Sequence, residues 1–254
     1  MASEAQFVGA TLAENLLDDG GQSGQLSDLA RQSHRRIVIA FVGMAFEAKI
    51  AAGPGVLVFC RNARSDLETM AVSAAGQGYR GIISFGVAGG LVSHLRAGDW
   101  IVASAVLEAQ SVVEPTLAWS KRLHMVIDGA HYGPILGVDV PVAEPTMKRE
   151  LHRTTGAIAV DMESHVVARV AAAHGLAFAA VRVIVDAADR AIPRAALIGL
   201  GEGGAANVSA VVRDLVAHPS QLMPLARVAA DAFIARNAMV RVRQLLGPHF
   251  GVIS

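Results

Sequence analysis

The chain is short of several features that would define large classes of protein. Its 254 residues include a single cysteine, Cys60, so an internal disulfide bond is excluded and a cysteine-based zinc site lacks ligands. The 22 lysines and arginines balance 22 aspartates and glutamates, which gives no electrostatic basis for binding nucleic acid. No run of about 18 apolar residues occurs, which argues against a membrane-spanning helix. The histidines are scattered without metal-binding spacing, so we expect no metal.

The N-terminal segment lacks the pattern of a secretory signal. Residues 1–34 carry acidic side chains and a polar, glycine-containing stretch, with no basic segment followed by an apolar core. We interpret residues 1–34 as a flexible extension and residues 35–254 as one domain that ends in helices within 207–246. A cytoplasmic location is the default expectation.

Short apolar runs typical of buried strands alternate with helical segments. Strands are predicted at 36–43, 55–61, 81–87, 100–106, 131–142 and 177–185. Helices are predicted at 66–77, 117–127, 145–153, 163–174, 207–217 and 221–246, with loops at 86–90 and 191–206. This alternation predicts a three-layer αβα fold with a central mixed sheet. Ligands of such folds usually bind beyond the strand ends.

The glycine-rich segment Gly86–Gly90 directly follows the third predicted strand. Glycines allow the backbone to approach a ligand, and free N–H groups can bind hydroxyl or phosphate oxygens. An ordinary tight turn is the alternative, since small residues are common in turns.

Two acidic clusters, at 161–163 and 186–189, lie at opposite ends of a predicted helix–strand pair. A helix followed by a strand returns the chain across a domain, so the clusters are expected to meet at one end of the sheet. Carboxylates in such a position can bind hydroxyl groups and exchange protons. The clusters therefore mark the candidate site.

The two clusters suggest different roles for Asp186 and Glu163. Asp186 ends a strand rich in valine, isoleucine and alanine, where desolvation tends to raise the pKa of a carboxyl group and favours a general acid. Helix capping or a surface turn is the alternative. Glu163 lies near a helix N-terminus, which favours its ionised form. That form can accept hydrogen bonds from vicinal hydroxyls such as those of ribose. The alternative is that Glu163 only complements the charge of the helix N-terminus.

Two further charged residues point to the same region. Glu47 follows the first predicted strand and either reaches the strand-end cleft or begins a solvated helix. Arg182 lies inside an apolar strand, so a buried guanidinium there must be paired. The carboxylates of the site are its expected partners.

Several motifs occur together and in a fixed order: Met44 to Glu47, Gly86-Val87-Ala88-Gly89-Gly90-Leu91, Gly98-Asp99, Val160-Asp161-Met162-Glu163 and Val181 to Asp189. With these motifs the chain resembles the nucleoside phosphorylase/nucleosidase superfamily over residues 36–190. It closely resembles the nucleosidases that cleave methylthioadenosine and S-adenosylhomocysteine. The match extends into the tail, residues 219–247, for the hopanoid-associated phosphorylases, which are assigned the removal of adenine from adenosylhopane.

The resemblance implies a role for each matching residue. Asp186 would protonate or hydrogen-bond the leaving purine at N7, and Glu163 would hold the ribose hydroxyls. Glu47 would orient the attacking water, or contact the ribose if phosphate is the nucleophile. Substrate contacts are expected from Met44, Ala88, Gly89, Val140, Pro141, Val142, Met162 and Arg182.

The resemblance also implies the reaction. We expect an N-ribosyl hydrolase, or a glycosyltransferase of the purine nucleoside phosphorylase type, that releases adenine from adenosylhopane in hopanoid biosynthesis. The Gly-Asp-Pro and arginine signature of phosphate-binding relatives is missing, which favours water, with phosphate left open as a co-substrate and no other cofactor. The alternatives are a methylthioadenosine/S-adenosylhomocysteine nucleosidase and, from another class, an inactive nucleoside- or lipid-binding protein. Retention of Asp186 and Glu163 speaks against the inactive protein.

The C-terminal helix bears apolar side chains on more than one face, with arginines between them. Such a wide apolar surface usually packs on the domain or in a dimer interface. The alternative is that it receives an apolar substrate or contacts the inner membrane face peripherally. Relatives imply a homodimer or larger homo-oligomer, and the small-molecule partner is an adenosyl substrate, lipid-linked in the hopanoid case.

Overall fold

The computed structural model describes residues 37–60, 68–69, 71–73, 79–109, 111–199, 211, 213–214 and 217–252. The predicted extension at 1–34 lies outside the described residues. Most of the predicted helices at 66–77 and 207–217 lies outside them too.

The described ranges contain strands alternating with helices. The strands are β1 (Val38–Val42), β2 (Val56–Cys60), β3 (Gly81–Gly90), β4 (Trp100–Glu108), β5 (Ser111–Val113), β6 (His131–Gly137), β7 (Ala159–Asp161) and β8 (Phe178–Asp186). The helices are α1 (Ala45–Ala51), α2 (Leu117–Val126), α3 (Pro145–Thr155), α4 (Ser164–Ala173), α5 (Arg194–Gly199) and α6 (Leu222–Leu246). Short 3₁₀ turns precede and follow α6 at Pro219–Gln221 and Pro248–Gly251.

The described strands form one mixed sheet, part of which closes into a ring. In the ring β3 pairs with β8, β8 with β4, β4 with β6, β6 with β7, and β7 with β3. Strands β1 and β2 extend the sheet from β3 in parallel, and β5 pairs antiparallel with β4. The predicted mixed sheet is confirmed.

Helices cover both faces of this sheet. Alternate residues of a strand point to opposite faces, and in β1 Ile39 and Phe41 pack in one core with residues of α4. Val38, Ala40 and Val42 pack in a second core with residues of α2 and α6. The three-layer αβα prediction is therefore confirmed.

The pairing between β3 and β8 contains a β-bulge near its end. Ala88 pairs with Ile184, but the next residue of β3, Gly89, pairs with Asp186. Val185 is the extra residue, and the register changes by one position there. The bulge places Asp186 opposite Gly89.

Several predicted element boundaries are wrong. The segment 86–90 is not a loop, because β3 continues through it to Gly90 and pairs there with β7 and β8. The strand predicted at 131–142 ends at Gly137, and the loop predicted at 191–206 contains α5. The strands β5 and β7 were not predicted, because each has only three residues and lacks an apolar run long enough to indicate a strand.

The C-terminal helix α6 is packed along only part of its length. Its second half is buried in the second core, for example at Met239 and Val242. Its first half has these exposed apolar side chains: Leu222, Met223, Phe233 and Ile234. Packing on the domain thus accounts for one half of the helix. None of the helices in the described part of the chain has the length and hydropathy of a membrane span.

Candidate active site

Arg182 lies at the centre of a buried polar cluster at the end of β3, β7 and β8. The side chain is fully buried, and its Nε donates a hydrogen bond to Asp161 Oδ2 at a distance of 2.5 Å. Its Nη2 donates to Ser84 Oγ at 2.6 Å and to Ser164 Oγ at 3.0 Å. Burial alone would raise the pKa of Asp161, but the Arg182 charge and the Ser164 hydrogen bonds hold that pKa below its ordinary value. The predicted pairing of Arg182 with a carboxylate is confirmed, and the partner is Asp161.

Glu163 is positioned by this cluster. Asp161 Oδ1 accepts the backbone N–H groups of Glu163 and Ser164, at 3.0 and 2.8 Å, and so fixes the start of α4. The Glu163 side chain is 13% exposed, with Oε2 3.7 Å from Arg182 Nη2. Its carboxylate therefore remains accessible to a ligand while held beside a buried cation.

Glu47 is buried in the first turn of α1, with 1% of its surface exposed. Its Oε2 accepts the N–H groups of Gly43 and Met44, and its Oε1 accepts that of Val87, each at 2.8 Å. Burial, and after it the nearby Glu163 charge, raises the pKa of Glu47 to about 7 against the effect of these hydrogen bonds. A solvated helix start is thereby excluded, and Glu47 can exchange a proton near neutral pH.

Asp186 forms an ion pair that the sequence did not indicate. Its carboxylate is bonded to Lys148 of α3, a fully buried lysine. The Lys148 ammonium also donates to the carbonyl oxygens of Ala187 and Arg190, at 2.9 and 3.1 Å. Burial raises the pKa of Asp186 above its ordinary value even though Lys148 opposes this. The direction agrees with the desolvation expected at a strand end.

Three carboxylates of the candidate site each lie against a glycine. A methyl group at Gly43 would lie 2.8 Å from Glu163 Oε1, one at Gly86 2.7 Å from Glu47 Oε1, and one at Gly89 3.1 Å from Asp186 Oδ2. These distances are shorter than ordinary contacts of a methyl group. The glycines therefore provide space for the carboxylates. The sequence pattern alone predicts instead that the glycines of 86–90 provide space for a ligand.

One donor of Arg182 remains available. Its Nη1 is buried and has no hydrogen-bond partner among the described residues. A methyl group at Gly86 would lie 2.8 Å from this Nη1 as well as 2.7 Å from Glu47 Oε1, so both groups pack closely against Gly86. A donor beside a carboxylate is suited to binding a hydroxyl group or a water molecule.

The charges of the cluster favour a cationic ligand. Glu47, Asp161 and Glu163 surround the single guanidinium of Arg182, whose Nε is committed to Asp161. With the carboxylates ionised, the cluster carries net negative charge in a low-dielectric region. Such a site stabilises developing positive charge.

The predicted substrate contacts fall into two groups. Met44, Ala88, Gly89 and Met162 lie on, or next to, the elements that carry the carboxylates. Val140, 67% exposed, and Pro141 lie instead in the loop after β6 and present their side chains to solvent. Val142 packs against a small core that includes Leu136 and Val160.

Sequence reasoning missed Lys148, Ser84 and Ser164. Helix α3 is polar along most of its length, so no apolar stripe marked its inner face. The one available signal was spacing, because Lys148 precedes the partly buried Leu151 and His152 by three and four residues, as residues of one helix face do. The two serines carry no signal of their own, since their role depends on which side chain the fold brings to them.

A separate cavity of about 600 Å³ lies between α1 and α6. Its walls include the apolar side chains of Phe46, Ile50 and Val240, together with Lys49 and Arg236. None of the site carboxylates lines it, although Phe46 is the neighbour of Glu47 in α1.

Solved structures similar to this chain share its fold. The 5′-methylthioadenosine/S-adenosylhomocysteine nucleosidase from Helicobacter pylori, bound to butyl-thio-DADMe-Immucillin-A, aligns with a TM-score of 0.60 and 17% identity over 83% of this chain and 96% of its own. Futalosine hydrolase of the same organism aligns with a TM-score of 0.59 and 18% identity over 84% and 96%. The methylthioadenosine/S-adenosylhomocysteine nucleosidase from Neisseria meningitidis, bound to methylthio-immucillin-A, gives 0.56 and 14% over 82% and 97%.

A comparison with curated proteins gives no match. At these identities the structural similarities establish the fold alone. The family follows from the sequence model of the phosphorylase superfamily, which matches residues 49–217 and so covers most of the chain, including the strands and helices that carry Arg182, Glu163 and Asp186. The chain belongs to the phosphorylase superfamily.

Proposed function

We propose that this protein cleaves the N-glycosidic bond of an adenosyl-linked substrate and releases adenine. The observation that carries the proposal is the separation of two kinds of carboxylate at one end of the sheet. The Asp186 side chain is 15% exposed and paired with the buried Lys148, and the Glu163 side chain is 13% exposed beside the buried Arg182, so the two carboxylates differ in their cationic partner. Glycosidic cleavage needs an acid at the leaving base and negative charge beside the cationic sugar, and this arrangement offers both.

The proposed roles follow that division. Asp186 gives a proton or hydrogen bond to N7 of the leaving purine. Glu163, ionised, accepts hydrogen bonds from the ribose hydroxyls and stabilises the oxocarbenium-like transition state. Met162 packs against the sugar, and Met44 and Arg182 border it. The segment Ala88-Gly89 and the loop Val140-Pro141-Val142 lie along the base.

Water is the proposed nucleophile, and Glu47 its base. A carboxyl group whose pKa lies at about 7 is half ionised near neutral pH, where it can accept a proton from water. The Nη1 atom of Arg182, which has no partner among the described residues and lies against the same glycine as Glu47 Oε1, is the proposed donor to that water. Phosphate is disfavoured because Glu47 and Glu163 would repel a dianion, and Arg182 already balances Asp161.

The proposed substrate is adenosylhopane, or another adenosine with an apolar 5′ substituent. Two features support an apolar group: the cavity beside α1 with Phe46 and Ile50 in its wall, and the exposed apolar side chains in the first half of α6. Methylthioadenosine and S-adenosylhomocysteine are the alternative substrates, because neighbouring structures are nucleosidases of that name.

The first half of α6 also supports a contact beyond the domain. We propose that its exposed apolar side chains, with Arg227 between them, either form part of a homo-oligomer interface or lie against the inner membrane face. Light scattering of the purified protein gives the oligomeric state. Flotation with anionic liposomes, compared between the wild type and a variant with serine at the exposed positions Leu222, Met223, Phe233 and Ile234, tests the membrane contact, which equal flotation would contradict.

The reaction is tested by measuring adenine release from methylthioadenosine, S-adenosylhomocysteine and adenosines with longer 5′ alkyl groups, up to adenosylhopane. We expect release that is independent of phosphate and most efficient for the apolar substituents. Release that requires phosphate, with a ribose 1-phosphate product, would make the protein a phosphorylase. Binding without adenine release from any substrate would favour an inactive binding protein.

A further inference from the structure

Lys148 is an unusual residue to find beside a proposed general acid. Its side chain is fully buried, and its three donors go to the Asp186 carboxylate and to the carbonyl oxygens of Ala187 and Arg190. An ammonium group has three N–H donors, so none remains for another ligand. Burial of a lysine is costly unless the charge is paired. Asp186 is its one charged partner in the part of the chain that the structure describes, so its position bears directly on that carboxylate.

We propose that Lys148 is a positioning residue that fixes the Asp186 carboxyl group and stabilises the carboxylate formed when Asp186 gives up its proton. This inference rests on the proposed function, in which Asp186 is the acid at the purine. Lys148 itself does not touch the substrate. It acts through the oxygen Oδ2 and leaves Oδ1 for N7 of the base.

The proton balance shows where the lysine contributes. The proton of Asp186 moves to N7, the electrons of the C1′–N9 bond pass to the purine, and water adds to C1′ while Glu47 takes its proton. Asp186 is then negatively charged in a buried place, and the Lys148 ammonium lies against it. In this proposal Lys148 takes no part in the proton exchange, and its contact with the Asp186 carboxylate lowers the energy of the charged state.

Of the charged groups that act on Asp186, Lys148 is the one that stabilises its carboxylate. Among the described residues, Asp231 of α6 is the other charge that acts on Asp186, and it is itself paired with Arg190. Burial and Asp231 both raise the pKa of Asp186, whereas Lys148 lowers it. Removing the lysine therefore raises the pKa further and makes Asp186 a weaker acid.

A purely structural role is the competing explanation, because Lys148 also ties down the turn at Ala187 and Arg190. The two explanations differ in their pH dependence. An acid must be protonated, so activity is lost as pH rises through the pKa of Asp186. If Lys148 acts on the acid, Lys148→Met lowers kcat/KM at least about tenfold and moves this basic limb to higher pH. Lys148→Arg, which keeps the charge, restores most of the activity.

The experiment compares pH profiles of adenine release for the wild type, Lys148→Met and Lys148→Arg, with the exposed Lys121→Met of α2 as matched control. A second comparison places Lys148→Met in an Asp186→Asn background, where we expect less than about a twofold further loss. An unmoved basic limb, or a full further loss in the Asp186→Asn background, would overturn the proposal.

A readout without turnover separates this inference from the proposed function. The ¹³C carboxyl resonance of Asp186, identified by its disappearance in Asp186→Asn, is followed by NMR as pH is varied. We expect its midpoint at higher pH in Lys148→Met than in the wild type, or in Lys148→Gln if the methionine variant does not fold. An unchanged midpoint contradicts the inference, whereas a shifted midpoint in a protein that releases no adenine leaves the inference intact and the proposed function refuted.

Discussion

Gly86 lies so close to Glu47 that a methyl group on it would come within 2.7 Å of the Glu47 Oε1 atom. The same methyl group would lie 2.8 Å from Arg182 Nη1, and both side chains are buried and bonded on other sides. Neither can move away without losing hydrogen bonds. The absence of a side chain at Gly86 is therefore a condition for the geometry of the cluster.

We predict that Gly86→Ala lowers kcat/KM for adenine release by roughly a hundredfold, because the displaced carboxylate no longer holds water in line with the sugar. Steady-state kinetics with the best substrate checks this. Gly90→Ala is the matched control on the same strand, since a methyl group there meets its nearest atom at an ordinary 3.4 Å. Equal losses in the two variants would show that the strand, rather than Glu47, is sensitive.

Asp186→Asn is predicted to reduce adenine release by at least about a hundredfold, because an amide cannot supply the proton to the leaving base. The loss should be smaller for a substrate whose leaving group needs no protonation, such as a nitrophenyl riboside. Asp189→Asn, in the turn that follows, serves as control. Near-normal turnover of adenosyl substrates by Asp186→Asn would refute the assignment of the acid.

Activity should fall below neutral pH. Glu47 must be ionised to accept a proton from water, and its pKa is raised by burial to about 7. We therefore expect the logarithm of kcat/KM to decrease with unit slope as pH falls below about 7. If kcat/KM instead began to fall only near pH 4.5, the ordinary pKa of glutamate, another group would be the base.

The same pKa predicts a stability effect. Between pH 4.5 and about 7 an unfolded Glu47 has lost its proton while the folded one retains it, so this group makes the folded state less stable as pH rises. The penalty above pH 7 is about 3 kcal/mol. Urea unfolding of the wild type and of Glu47→Gln at several pH values checks this, because the difference between them should shift by that amount in favour of glutamine. A pH-independent difference would contradict the raised pKa.

Arg182→Met is predicted to lower the free energy of unfolding by about 3–5 kcal/mol, since it leaves Asp161 buried and unpaired. Adding Asp161→Asn should recover part of the loss. Glu150→Gln, which breaks the exposed ion pair with Arg153, is the control and should leave the urea midpoint nearly unchanged. A small effect of Arg182→Met would imply that water enters the cluster and compensates.

The fold and one ion pair could be predicted from the sequence because they depend on local patterns. Apolar runs such as 177–185 mark buried strands, and a cation inside such a run requires a partner, which proved to be Asp161. The length of β3 could not be predicted, because its glycines look like a turn until their partners in β7 and β8 are known.

The remaining parts of the site depend on contacts between distant segments. Glu47 and Val87 are forty residues apart, and the hydrogen bond between them becomes apparent only when β1 and β3 are neighbours. Lys148 and Asp186 are thirty-eight residues apart and lie on a polar helix and a strand end, neither of which carries a signal for the other. Burial of a lysine is a property of packing, and no composition or spacing reveals it with certainty.

The bulge at Val185 sets the spacing between Arg182 and Asp186 along the sheet. Arg182 pairs with Gly86 and Asp186 with Gly89, so four steps along β8 correspond to three along β3. The bulge thus places Asp186 one step of β3 closer to Arg182 than a regular pairing would. In a continuous register Val185 would pair with Gly89 and Asp186 with Gly90, whereas the bulge keeps Asp186 opposite Gly89. Under the proposed roles, the spacing between the group at the ribose and the acid at the purine is therefore set by the backbone pairing of β3 with β8 rather than by the length of a side chain.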